Sequence, residues 1–124
     1  MKLFAPKEYW NVPKEIRNSW GCGPGGLGDW LVPDTVYGLS IKSACMIHDW
    51  YYRHYEDDTE YGRKIADRVF RNNMIRIVTH KSKSRILERL RLIRINTYYL
   101  SVRKFGAPAY FEDRNTEMEY RYDT

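Results

Sequence analysis

Helix breakers are segregated along this chain, and that segregation limits the fold more than any other feature. All prolines but one, and most glycines, fall before residue 40, in APKEYWNVPKEIRNSWGCGPGGLGDWLVPDTVYGLS. Proline fixes φ and glycine frees it, so this density predicts ordered loop over residues 1–39, with short turns at most. From Ser40 on, apolar residues recur three and four apart, the spacing of one helix face. Ile41, Ala44, Cys45, His48, Tyr52 and Tyr55 line a first helix capped by Ser40 and stopped by EDDT. A second starts behind Asp58 and Thr59 and runs to about Thr79, with Tyr61, Ile65, Ala66, Val69, Phe70, Met74 and Ile77 on one side, so 40–79 reads as a helix pair. After HKSKS a third helix covers 84–104, with Ile86, Leu90, Ile93 and Leu100 inward, arginines outward and Gly106 at the C-cap position. Residues 107–124 read as an irregular acidic tail. No segment reads clearly as a strand, and the fold class is mainly α.

A chain of 124 residues holds one domain, which excludes two-domain enzymes, repeat solenoids and nucleotide folds with a second lobe. Hydrophobic residues at 43% and charged residues at 30% exclude a disordered chain. The aromatic fraction of 15% suits either a protein working at an apolar/water boundary or a small core filled with large rings. Net charge is +5, but Lys81 to Lys104 carries eight basic residues against Glu88 alone. Such a block is either a solvated helix face or a docking face for anionic lipid or another protein. Nucleic acid also carries phosphate, but no helix-turn-helix, zinc or RNA-binding signature accompanies the block. Neither a membrane span nor a secretory signal is legible, so synthesis in the cytoplasm is expected.

The chemistry concentrates in WGCGPGGLGDW and SACMIHDWYY. Glycines allow successive backbone carbonyls to converge, and hard cations such as calcium take oxygen ligands of that kind. Phosphate-cradling loops are also glycine-rich, but those lead directly into a helix, and here the helix waits until Ser40. His48 and Asp49 are adjacent on a helix, so their side chains diverge by about 100° and serve two neighbouring sites rather than each other. The alternative is a core histidine beside an exposed aspartate. Tyr52 and Cys45 share the face of His48. Asp67 falls on the apolar stripe of the second helix, and a carboxylate there needs a partner; a neutral histidine on the facing helix is the one the chain offers. Asp57 and Asp58 lie in the break, where capping accounts for them. A zinc site from Cys22, Cys45 and His48 is a further alternative, though it lacks a fourth ligand.

A CGPGG loop, then a helix carrying CxxHDxxY, then a second helix carrying the aspartate of ADR resembles the secreted phospholipase A2 superfamily. The likeness is to the short viral, bacterial and phage-encoded versions, including the domain of the parvovirus minor capsid protein, and it covers about Trp20 to Phe70. It implies a phospholipase A2-like fold: an N-terminal calcium loop and two antiparallel catalytic helices, here with an additional basic C-terminal helix that has no counterpart. It implies His48 as general base, Asp67 orienting its imidazole and Tyr52 tethering Asp67. It implies Ca²⁺ held by Asp49 and the carbonyls of Gly21, Gly23 and Gly25, a backbone N–H near Gly23 at the oxyanion, and a disulfide between Cys22 and Cys45. The expected function is calcium-dependent hydrolysis of the sn-2 ester of phospholipids by a phage or virion component acting on a membrane. Other virion or tail proteins are expected partners and a specific nucleic acid is not. The alternative is a catalytically inactive structural or adaptor protein of a virion on the same fold.

Overall fold

Each of the two PKE segments near the N-terminus opens one turn of helix, α1 (Lys7–Trp10) behind Pro6 and α2 (Lys14–Arg17) behind Pro13. Proline lacks the N–H that a first turn leaves unpaired, and its φ is already helical. The structure, a computed structural model, describes residues 1–20, 32–112 and 114. Where ordered loop with short turns at most was expected over 1–39, the described residues form two one-turn helices and the start of a hairpin. In the hairpin β1 (Thr35–Val36) pairs antiparallel with β2 (Leu39–Ser40), Thr35 opposite Ser40. Tyr37 and Gly38 both have positive φ, 44° and 77°, the backbone that a two-residue turn between right-twisting strands demands. Ser40 therefore ends a strand instead of capping a helix.

Three long helices follow: α3 (Lys42–His54), α4 (Glu60–Lys81) and α5 (Arg85–Phe105), so the chain is mainly helical. Thr59 is the N-cap of α4 and Ser84 that of α5, where its Oγ accepts from the Leu87 N–H. The start of α3 packs with the second half of α4, through Ala44, Cys45, Phe70 and Met74, and α5 adds Ile95, Tyr98 and Val102. The second half of α3 packs with the first half of α4, through Ile47, Trp50, Tyr51, Tyr52, Ala66 and Val69, and Tyr9, Trp20 and Tyr110 close that cluster. This pairing makes α3 and α4 antiparallel. Each fully buried side chain the size of Phe70 or Ile77 contributes about 1.5–3 kcal/mol.

Two arginines add side-chain donors to carbonyls at helix ends, where internal partners run short. Arg63 of α4 donates to the carbonyls of Val102 and Arg103 at 3.0 and 3.2 Å. Arg114 donates to those of Tyr55, Tyr52 and Tyr51 at 2.8, 3.2 and 3.3 Å. Arg114 can do so because residues 107–112 are helical, a correction to the irregular tail expected after Pro108. Tyr110 there is 1% exposed and its hydroxyl donates to the Asp57 carbonyl. Asn73 clamps the N-terminal segment to α4, accepting from the Phe4 N–H and donating to the Phe4 carbonyl, both at 2.8 Å.

The facing of α5 is also a correction. Ile86, Leu90, Ile93 and Leu100 point outward, and the packed side is Ile95, Tyr98 and Val102, with Arg91 and Leu92 half-buried. Arg91 reads as a surface residue but donates to the Val36 and Tyr37 carbonyls at 3.2 and 2.7 Å. Tyr98 donates to the Thr35 carbonyl at 3.0 Å. The hairpin needs these donors, and they select the more polar stripe for the inside. Tyr61, expected on the buried side of α4, is likewise exposed.

Candidate active site

The periodicity of α3 turns His48 and Tyr52 to α4 and sets Asp49 about 100° round the helix. His48 is 1% exposed, Asp49 4% and Asp67 0%, so three polar groups sit in the core and require partners. His48 Nε2 lies 2.8 Å from Asp67 Oδ1, and the Tyr52 hydroxyl donates to the same oxygen at 2.7 Å. An ionised carboxylate only accepts, so Asp67 fixes the imidazole with its hydrogen on Nε2 and its lone pair on Nδ1. The rings of Phe70, stacked at 4.3 Å, and Tyr52, at 4.4 Å, confine the imidazole. Burial and the Asp67 charge push the Tyr52 hydroxyl up, which keeps it a donor.

The second oxygen of Asp67 has a partner no sequence pattern suggests. Arg103, in the last turn of α5, donates to Oδ2 at 2.6 Å, and Arg63 Nη1 stands 3.5 Å away. Glu60 joins both guanidinium groups, accepting from Arg103 at 2.7 Å and from Arg63 at 2.7 and 2.8 Å. Two cations and two carboxylates balance, so no buried ion is left uncompensated. The end of α5 comes close enough because residue 106 is glycine: a Cβ there would meet the Tyr52 hydroxyl at 2.7 Å.

Burial pushes the Asp67 carboxyl up, but hydrogen bonds from His48, Tyr52 and Arg103 outweigh it and hold the group below its usual range. A depressed carboxyl stabilises the fold above the unfolded value, about 3.9, and that contribution is lost as pH falls through the lower folded value. Arg103→Gln removes one of the groups that favour the charged form, so the acid-unfolding midpoint is expected to move to higher pH. Circular dichroism against pH measures it, and an unchanged midpoint would show that Arg103 does not hold the carboxylate.

Asp49 faces away from this cluster. Its Oδ1 accepts from Arg53 Nε at 3.0 Å, one turn on. Gly21, Cys22, Gly23 and Gly25 lie outside the described residues, but the positions flanking them do not. Trp20 packs beside His54 with ring centroids 5.6 Å apart, and Val32 is buried in the cluster of Ala44 and Cys45. Both flanking positions thus pack in clusters to which α3, the helix that carries Asp49, contributes.

Cys45 is buried and is not a free thiol. Bonded in a disulfide, Cys45 offers no thiolate, so the zinc alternative does not fit. Among the described residues no group of three His, Cys, Asp or Glu side chains could hold a metal. Asp57 acts as the break suggests, accepting from the Thr59 N–H at 2.8 Å, and Asp58 pairs with Arg114. A cleft of about 570 Å³ lined by Val12, Ile16, Trp20, Trp50, His54 and Tyr55 opens on α1 and α2. Trp50 and His54 lie round α3 from His48, so this cleft does not lead to the imidazole.

Sequence reasoning missed Glu60, Arg63 and Arg103; it placed Gly106 at the C-cap of α5, where the glycine stands, but not its close approach to Tyr52. Arg63 precedes Asp67 by four residues, a spacing that signals an ion pair on one helix. Nothing distinguished Arg103 from the other basic residues between Lys81 and Lys104. No family model matches this chain, and neither a curated protein nor a solved structure matches it.

Proposed function

We propose that the protein is a calcium-dependent phospholipase A2 that hydrolyses the sn-2 ester of phospholipids. One observation carries the reading: a buried histidine, held through Nε2 by a buried carboxylate with a tyrosine on the same oxygen, next in sequence to a second buried carboxylate. His48 Nδ1 takes a proton from water as that water attacks the ester carbonyl, and Asp67 stabilises the resulting imidazolium. The proton then passes to the departing glycerol oxygen, leaving a fatty acid and a lysophospholipid. Tyr52 keeps Asp67 in place. The donor set fits calcium, being all oxygen: the Asp49 carboxylate and, by the sequence resemblance, the carbonyls of Gly21, Gly23 and Gly25. Bound there, calcium would supply Lewis-acid polarisation of the ester carbonyl and charge for the oxyanion. The same resemblance supports a Cys22–Cys45 bridge and a phage or virion component that meets a membrane.

Fatty-acid release from mixed micelles, with calcium and with a chelator, tests the activity. No release by protein that binds calcium would sink the hydrolase and leave the adaptor reading. The metal has its own test. Asp49→Asn removes the carboxylate of the donor set and is expected to weaken calcium binding at least about tenfold. Calorimetric titration reads this without substrate, and equal affinity in the variant would remove Asp49 from the site.

A further inference from the structure

α5 is apolar on two opposite sides. At 100° per residue, Ile95, Tyr98 and Val102 cluster on the packed side, while Ile86, Leu90, Ile93, Thr97 and Leu100 fall within an arc of about 80° diametrically opposite. Ile86 is 74% exposed, Ile93 68%, Leu100 55% and Leu90 41%. The strip runs for about 21 Å, four and three residues apart in alternation. Isolated exposed aliphatics need no explanation, but a continuous strip does. Exposed cations frame it: Arg85 and Arg89 along one edge, Lys104 at the far end, and Lys81 and Lys83 just before the helix. The acid in α5, Glu88, points toward the packed side and is half-buried.

Charge decides what can cover this face. In a parallel pair of α5 helices, Arg85 and Arg89 meet their own copies; in an antiparallel pair they meet Lys104, and no acid on the strip answers them. An anionic bilayer offers what the face lacks: phosphates for the edges and an apolar interior for the strip. Among the described residues no helix is long and apolar enough to cross a membrane, so α5 would lie along the surface. We infer that the outer face of α5 docks the protein on anionic phospholipid bilayers. Ile86, Leu90, Ile93 and Leu100 enter the boundary between headgroups and acyl chains, and Arg85, Arg89 and Lys104 sit at the phosphates. The face lies outside the stretch on which the hydrolase reading rests and shares with that reading only the phospholipid; because docking is read without calcium or turnover, either can fail alone.

The test is co-sedimentation of the full chain with phosphatidylcholine vesicles, with and without phosphatidylglycerol, in chelator. Binding is expected on the phosphatidylglycerol vesicles. Ile86→Ser with Ile93→Ser should lower it about tenfold or more, since both side chains lose the transfer out of water. Arg85→Gln with Arg89→Gln should lower it about tenfold on the anionic vesicles. All four positions are exposed, so unchanged melting curves verify the fold. Equal binding to both vesicle types, no binding by the parent chain, or variants that bind like the parent would overturn the proposal. So would a dimer in solution that the isoleucine substitutions convert to monomer, since the strip would then be covered by a second copy.

Discussion

Replacing His48 by glutamine is expected to lower fatty-acid release about a thousandfold, within the usual range for a general base, while leaving calcium binding and melting temperature nearly unchanged. Glutamine keeps a donor that can reach Asp67 Oδ1, so the buried carboxylate retains a partner where histidine now stands at 2.8 Å. It cannot take a proton from water, because an amide nitrogen has no basic lone pair. The substitution thus separates chemistry from architecture. Micelle assays and calorimetry on the same preparation measure both. Hydrolysis within tenfold of the parent would remove His48 from the reaction, and a collapse in stability would show that the ring is held for packing against Phe70 and Tyr52 rather than for proton transfer.

How much of this was legible follows from what each residue had to satisfy. The meeting of His48 and Asp67 was readable because a lone acid on an apolar stripe has few solutions, and the facing helix carried the one that fitted; Tyr52 on Asp67 was implied by the family resemblance alone. α5 was misread because it carries two apolar stripes, and the aliphatic one looks more like a core than Ile95, Tyr98 and Val102 do. The choice between them is made by hydrogen bonds from Arg91 and Tyr98 to the hairpin. Those acceptors lie 54 to 63 residues away, beyond any local pattern. Arg103 was invisible for the same reason: its partner Asp67 is 36 residues back, and only the packing of α5 on α4 reveals which arginine of the basic block it is. The tail hid its helix behind Pro108, although proline is tolerated in a first turn.

Asp67→Asn is expected to destabilise the fold by about 3–5 kcal/mol, the usual result of removing one partner from a buried ion cluster. The shape is preserved, so the loss comes from charge and hydrogen bonding. Asparagine can still accept from His48 and Tyr52 on one side, but its amide then turns two donors toward Arg103 and toward Arg63, which is 5% exposed. Glu60 is left facing two guanidinium groups, and the balance of two cations and two carboxylates becomes an excess of one positive charge. This predicts its own repair. Adding Arg103→Gln to Asp67→Asn removes the surplus cation and leaves Glu60 with Arg63, so the double variant should be more stable than Asp67→Asn alone. Arg103→Gln by itself should be destabilising, because it breaks two ion pairs. The opposite signs in the two backgrounds are what contact between the residues requires, and denaturant unfolding of the four proteins measures the coupling. Additive effects would mean that Arg103 neutralises Glu60 alone, and Asp67 would then owe its place in the core to His48 and Tyr52.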